Sequence, residues 1–155
     1  MPIVLNSCTT SCSQREGAVV FLGGTCNNST WRNKIIPMLK VSYFNPVVDE
    51  WTTECMAEEL QQRKSCDVCL YVITPKMVSP YAIAEVIDDS KERPNQTILV
   101  ILRDDGDDYF TAAQWKHLNA VAKMVERNGG LIFNSLKSVA RHINALATSS
   151  LAQPK

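Results

Sequence analysis

The chain has 155 residues, 45% of them hydrophobic, which fits one globular domain with a single core. Sixteen basic residues balance sixteen acidic ones, and no Lys/Arg cluster is interleaved with aromatic residues. This charge pattern argues against nucleic acid and against an anionic membrane as partner. Apolar runs such as residues 98–102 are far too short to span a bilayer, and residues 1–7 lack the pattern of a signal peptide. We therefore expect a soluble, cytoplasmic protein that binds a small molecule.

The first predicted strand, residues 18–22, runs into a glycine-containing turn. Gly23, Gly24 and Thr25 are followed by further small polar residues, and a helix is predicted over residues 31–40. A turn of this composition lets backbone N–H and hydroxyl groups approach a phosphate or a ribose hydroxyl. It lacks the spacing of a dinucleotide-binding motif and the Walker lysine. An ordinary strand-to-helix turn with a hydroxyl cap is therefore an equal alternative.

A second strand over residues 41–44 and a helix over residues 53–64 follow. On this helix, Met56 and Leu60 are expected to face the core. Glu59 lies on the same helix, shortly before the next strand. Taken alone, it is interpreted as ordinary surface charge.

Residues 68–73 are apolar and β-rich, which is typical of a central parallel strand buried on both faces. Ser79 and Pro80 then predict the start of a helix, with serine as N-cap and proline at the first helical position. Val86 belongs to the apolar stripe of this helix, whereas Glu85 lies on another stripe, one turn inside the helix. Ligands of open α/β sheets bind where such helices leave the strands. The alternative for Glu85 is a solvated surface carboxylate.

The remaining chain continues the alternation of strands and helices. Strands are predicted over residues 96–102 and 131–133, and helices over residues 111–128 and through residue 146. The acidic segment 103–108 lacks the ligand spacing of a calcium loop. It is expected to be a solvated loop.

This alternation predicts a single α/β domain over residues 18–147. We expect a five-stranded parallel sheet of flavodoxin-like or Rossmann-like order 2-1-3-4-5, with helices on both faces. Residues 1–17 lack periodicity and predict an irregular N-terminal arm, and residues 148–155 predict a polar tail.

Six cysteines raise the question of a metal or redox site. Cys66 and Cys69 form a C-x-x-C pair, but two strand residues three apart point to opposite faces and cannot close on one metal ion. The pair also leads into a strand rather than a helix, unlike the pair of thioredoxin-like proteins. We expect no metal site and no cofactor, and interpret these thiols as buried apolar groups.

Four segments together resemble the nucleoside 2-deoxyribosyltransferase-like family, across most of residues 18–146. They are VFLGGT at residues 20–25, YFNP at 43–46, CDV with the strand that begins at 66–68, and YAIAEV at 81–86. Their order is the most specific part, with an acidic residue before the third strand and a glutamate just after it. Members of the family cleave or exchange the N-glycosidic bond between a deoxyribose and a base. The resemblance implies a nucleoside or nucleotide substrate and a homodimer or larger homo-oligomer.

The resemblance also implies roles for individual residues. Glu85 matches the family's nucleophile, and Glu59 matches its second acidic residue, with Glu58 in that place if the register shifts by one. A carboxylate beside the anomeric carbon suits the positive charge that develops on the sugar as the bond breaks. Substrate-binding residues are expected at Phe21, Gly23, Gly24, Thr25, Asn45, Ser79 and Tyr81.

Two of these positions differ from the transferases of the family. Ser79 resembles relatives that hydrolyse deoxynucleoside 5′-monophosphates, in which small hydroxyl residues bind phosphate. Phe21 stands where the family has a tyrosine, so that hydroxyl is missing unless Tyr81 or Tyr43 substitutes for it. The expected function is N-glycosidic cleavage or base exchange on a nucleoside or its 5′-monophosphate. Alternatives are a non-catalytic nucleotide-binding sensor or regulatory module, and a glycohydrolase of NAD-type substrates.

Overall fold

The computed structural model describes residues 4–5, 17–26, 28–47 and 52–151, which form an α/β fold. Its strands are β1 (Val4–Leu5), β2 (Val19–Gly24), β3 (Ser42–Phe44), β4 (Val68–Ile73), β5 (Thr97–Ile101), β6 (Asp104–Asp105), β7 (Asp108–Tyr109) and β8 (Leu131–Phe133). Its helices are α1 (Trp31–Ile35), α2 (Thr53–Ser65), α3 (Tyr81–Glu92), α4 (Ala112–Asn128) and α5 (Leu136–Leu151), with 3₁₀ turns at Ile36–Met38 and Pro94–Gln96. Among these helices, none is long and apolar enough to cross a lipid bilayer.

The sheet is parallel, and its strands lie in the order β1-β3-β2-β4-β5-β8. The five strands expected from the sequence are confirmed in the order 2-1-3-4-5. The two-residue strand β1 extends the sheet at one edge, where Val4 pairs with Tyr43. No sequence pattern predicted β1, because two residues are too few to show an alternation.

Strand β4 forms the centre of the domain, and all six of its residues are buried. Leu70 and Val72 belong to the apolar cluster that α1 and α5 cover, whereas Tyr71 and Ile73 belong to the cluster that α3 and α4 cover. Helices on both faces explain why β4 reads as a continuous apolar run rather than an alternating one.

Three local expectations need correction. The acidic segment is a short antiparallel hairpin rather than a solvated loop, and Asp105 is buried and accepts a hydrogen bond of 2.5 Å from the Ser29 hydroxyl. The closing helix runs to Leu151 rather than residue 146. Cys66 and Cys69 share one apolar cluster instead of lying on opposite faces, because Cys66 precedes the strand, where strand alternation does not apply.

Gly24, at the end of β2, has a left-handed φ of 113°, and a Cβ atom there would lie 2.1 Å from the Val72 carbonyl oxygen. We predict that Gly24→Ala lowers the free energy of unfolding by about 3 kcal/mol or more, from strain and overpacking. Gly17→Ala is the control, because Gly17 has a φ of 95° with nothing within 4 Å of its Cβ position. Urea denaturation of both variants tests this; equal losses would contradict the close approach of β2 to β4.

Candidate active site

A cavity of about 410 Å³ opens at the carboxyl edge of the sheet, above the ends of β2 and β4. Between these strands the order reverses, which is where open α/β sheets bind their ligands. The lining residues are Gly23, Gly24, Thr25, Cys26, Arg32, Pro46, Met56, Glu59, Leu60, Met77, Val78, Ser79, Tyr81, Ala82 and Glu85. The cavity therefore joins the glycine-containing turn, α2 and the start of α3.

Glu85 projects from the second turn of α3 into this cavity and is only 6% exposed. The interpretation of Glu85 as a solvated carboxylate is wrong, because its side chain faces the cavity and Arg63 of α2 rather than open solvent. Burial raises the pKa of Glu85 to about 7; the Arg63 guanidinium opposes this rise, while the Glu59 and Asp89 carboxylates add to it. Near neutral pH the group can therefore exist as carboxylate or as carboxylic acid.

Helix α2 turns its apolar side toward the cavity rather than the core. Met56 and Leu60, expected in the core, are 46% and 42% exposed and line the cavity, as does Glu59 between them. Burial raises the pKa of Glu59, against the opposing charges of Arg63 and Arg32. Glu58 does not line the cavity, so Glu59 is the acidic residue of α2 that reaches it.

Arg63 lies one turn further along the same side of α2 and joins α2 to α3. Its Nη1 atom is 3.6 Å from Glu85 Oε1, Nη2 is 3.0 Å from Asp88 Oδ2, and Nε is 3.1 Å from Asp89 Oδ2. Sequence reasoning missed Arg63. Its spacing of four residues from Glu59 was the available signal, because residues four apart share a helix face.

Arg32, on α1, is a second basic residue that the sequence analysis missed. It is 5% exposed, and its guanidinium donates to the carbonyl oxygens of Leu22 and Thr25, at 2.7–3.1 Å, and lies 4.3 Å from the Trp31 ring centroid. Burial lowers the pKa of Arg32 to about 10, which still leaves it cationic at neutral pH. Within the described ranges Arg32 has no carboxylate within ion-pair distance, and the charge of Glu59, which lines the same cavity, acts on it from further away.

The glycine-containing turn lines the cavity, but most of its polar groups are already bound. The Thr25 N–H donates to the Val72 carbonyl oxygen at 2.8 Å, and Thr25 Oγ1 accepts from the Thr74 N–H at 2.9 Å. The Thr25 carbonyl oxygen receives hydrogen bonds from Trp31 and Arg32. The Thr25 hydroxyl proton is what this residue retains for a ligand.

The other expected binding residues divide between the cavity rim and the core. Ser79 and Tyr81 line the cavity and are exposed, and Ser79 Oγ accepts from the Tyr81 N–H at 3.3 Å. Helix α3 begins at Tyr81 with Pro80 as its N-cap, so the expected N-cap at Ser79 and first helical position at Pro80 are each one residue too early. Phe21 is fully buried and stacks on Phe44, with ring centroids 5.9 Å apart. Asn45 accepts from the Val47 N–H. Neither Phe21 nor Asn45 lines the cavity.

The raised pKa of Glu85 predicts a pH-dependent effect of Glu85→Gln on stability. The folded pKa is about 7 against an ordinary value of 4.5, so the stability that neutral Glu85 provides is present below about pH 4.5 and is lost as pH rises through 7. Glutamine at this position stays neutral, so the stability of Glu85→Gln does not follow this titration. Between pH 5 and pH 8 the free energy of unfolding of wild type should fall by about 2 kcal/mol relative to Glu85→Gln, a value reduced to allow for solvent in the cavity.

Chemical denaturation at both pH values measures this difference. Glu58→Gln, outside the cavity, serves as the control. A constant difference between Glu85→Gln and wild type from pH 5 to pH 8 would show that burial does not perturb Glu85.

The sequence matches, over residues 17–101, the family described as nucleoside 2-deoxyribosyltransferase like. No curated protein matches the chain. The matched region covers more than half of the chain, extends from the residues before β2 to the end of β5, and includes Glu59, Arg63 and Glu85. The chain therefore belongs to the nucleoside 2-deoxyribosyltransferase-like family.

Proposed function

We propose that the protein cleaves or exchanges the N-glycosidic bond of a (deoxy)nucleoside or its 5′-monophosphate, with Glu85 as the nucleophile. One observation carries this proposal: a carboxylate only 6% exposed opens onto a cavity of about 410 Å³ at the carboxyl edge of the sheet. A buried acid is costly to maintain, and such groups concentrate at functional sites. Membership of the family supplies the substrate class.

In the first step, a Glu85 carboxylate oxygen bonds to C1′ of the sugar as the C1′–N bond breaks. The electron pair of that bond leaves with the base nitrogen, and the base gains a proton. Positive charge builds on the sugar ring in the transition state, where the negative carboxylate stabilises it. In the second step, water or the nitrogen of an acceptor base attacks C1′ as the bond from C1′ to Glu85 breaks, and the attacking group loses its proton to the Glu59 carboxylate, which restores both glutamates. Water gives hydrolysis, and a base gives exchange.

Glu59 supports the departure of the base. Burial raises its pKa, so a larger fraction is protonated than in an exposed glutamate. A protonated carboxyl in the same cavity can donate to the base nitrogen and stabilise the leaving group. The apolar side chains of Met56, Leu60 and Met77 supply a surface on which a planar base can pack.

The positive charge of Arg32 and the hydroxyl of Ser79 favour a substrate that carries a 5′-phosphate. Both residues line the cavity, and phosphate recognition commonly combines an arginine with hydroxyl groups. We further propose a cytoplasmic protein that forms a homodimer or larger assembly. The apolar side chains of Val78 and Tyr81, 82% and 61% exposed at the cavity rim, support the assembly because they would be covered by a second subunit.

The burial of Phe21 favours a non-catalytic nucleotide-binding module as the second candidate. Phe21 replaces the family tyrosine and lies wholly in the core, so the hydroxyl has no substitute at that position. This candidate predicts thermal stabilisation by a nucleotide without release of base.

Glu85→Gln should abolish base release from deoxynucleosides and their 5′-monophosphates, since an amide oxygen is a far weaker nucleophile. A fall in kcat of at least about 1,000-fold is expected. Glu59→Gln should cause a smaller fall, and Glu58→Gln is the matched control on the same helix. Chromatography of free bases, with and without an acceptor base and with NAD as a third substrate, gives the readout. Base release by Glu85→Gln at the wild-type rate would contradict the role of Glu85 as nucleophile.

Ser79→Ala tests the preference for a phosphorylated substrate. We expect KM for the 5′-monophosphate to rise about tenfold, the loss of one hydrogen bond to a charged group, while kcat/KM for the unphosphorylated nucleoside stays unchanged. The nucleoside is the internal control because it lacks only the phosphate. Equal effects on both substrates would contradict phosphate binding and would show that Ser79 acts by stabilising the start of α3.

A further inference from the structure

We propose that Arg63 is the positioning residue of Glu85, and that Asp89 anchors Arg63 in the orientation this requires. The proposal rests on the proposed function, in which Glu85 attacks the sugar. It concerns Arg63 of α2, which contacts both Glu85 and Asp89 of α3; of these three side chains, Glu85 is the one that lines the cavity.

The guanidinium of Arg63 divides its donors among three carboxylates. Nε faces both oxygens of Asp89 at 3.1 and 3.3 Å, Nη2 contacts Asp88, and Nη1 faces Glu85 Oε1 at 3.6 Å. Because Nε and Nη2 are bound on α3, the plane of the guanidinium is fixed. Nη1 is then held toward one oxygen of Glu85, which leaves the other oxygen to attack C1′.

Asp89 is the fixed point of this arrangement. It is 3% exposed and also accepts hydrogen bonds from the Tyr71 hydroxyl at 2.5 Å and from Arg93 Nη2 at 2.8 Å. Burial would raise the pKa of Asp89, but the hydrogen bonds from Arg63, Tyr71 and Arg93 outweigh it and hold the pKa below its ordinary value. Asp89 is therefore a permanent anion that ties α2, α3 and β4 together.

The charged groups that act on Glu85 belong to α2 and α3. Helix α2 contributes Glu59 and Arg63, helix α3 contributes Asp89, and Arg32 of α1 lines the same cavity. Burial and the two carboxylates favour the protonated acid, and Arg63 favours the carboxylate. Among the residues shown to act on the Glu85 charge, Arg63 is the one that favours ionisation, so it keeps part of the nucleophile active at neutral pH.

Arg63→Gln and Arg93→Gln form a matched pair that tests this assignment. Both variants remove an arginine from Asp89, but only Arg63 reaches Glu85. We expect Arg63→Gln to move the titration of the Glu85 side-chain ¹³C resonance to higher pH by about one unit or more, and Arg93→Gln to leave it in place. The resonance is assigned by its absence from Glu85→Gln. An unchanged Glu85 titration in folded Arg63→Gln overturns the proposal.

The pH profile of base release supplies the second readout. In Arg63→Gln the acidic limb of kcat/KM should move in parallel with the titration, and activity should recover in part above pH 8. A structural role alone would lower the rate equally at all pH values. The NMR titration needs no turnover, so it measures the effect of Arg63 on the Glu85 pKa even in an inactive protein. Absence of base release would therefore contradict the proposed function without removing the test of the contact between Arg63 and Glu85.

Arg63→Lys covers the case in which loss of the buried charge unfolds Arg63→Gln. Lysine keeps the positive charge but cannot bind Asp89 and Glu85 in one plane. We expect the Glu85 titration close to that of wild type, with kcat reduced about tenfold or more. Wild-type kcat in Arg63→Lys overturns the positioning role.

Discussion

Burying the Glu85 carboxylate where water is largely excluded costs free energy. The contacts between α2 and α3 offset part of this desolvation cost. Arg63 offsets part of it across 3.6 Å, and Asp89 fixes Arg63 by hydrogen bonds that are themselves buried. With a pKa of about 7, Glu85 is still partly ionised near neutral pH. In the proposed mechanism, the low dielectric of the cavity would strengthen the attraction between this carboxylate and the positive charge on the sugar.

The wall of the cavity opposite α2 and α3 is formed by the end of β2 and the turn that follows it, which are held by backbone contacts to β4. Gly24 allows β2 to approach the Val72 carbonyl of β4, and the next residue, Thr25, hydrogen-bonds to both Val72 and Thr74. Arg32 binds the carbonyl oxygens at the end of the same strand. Backbone groups that the sequence suggested for ligand binding thus hold the strand ends in register, and side chains of α1, α2 and α3 line the cavity.

Much of this could be predicted from the sequence, because parallel strands buried on both faces leave long apolar runs. The five principal strands and their order follow from such runs and from right-handed crossovers. The position of Glu85 near the start of α3 follows from the predicted helix start at Ser79 and Pro80, which is one residue before the observed start. By contrast, Met56 and Leu60 were assigned to the core, because a hydropathy pattern does not distinguish a core-facing stripe from a cavity-facing one. Arg63 was missed since its partners lie on another helix, 22 to 26 residues away in sequence.

The most direct test of the account is to trap and map the glycosyl-enzyme. The protein is incubated with a 2′-fluoro nucleoside 5′-monophosphate, whose electron-withdrawing fluorine slows breakdown of the intermediate, then quenched in acid and digested with trypsin. Cleavage after Lys76 and Lys91 gives a peptide, residues 77–91, in which Glu85 is the single glutamate. The account predicts that this peptide gains the mass of the sugar phosphate, that fragmentation places the addition on Glu85, and that Glu85→Gln shows none. Release of base together with a sugar adduct on a different residue would contradict it.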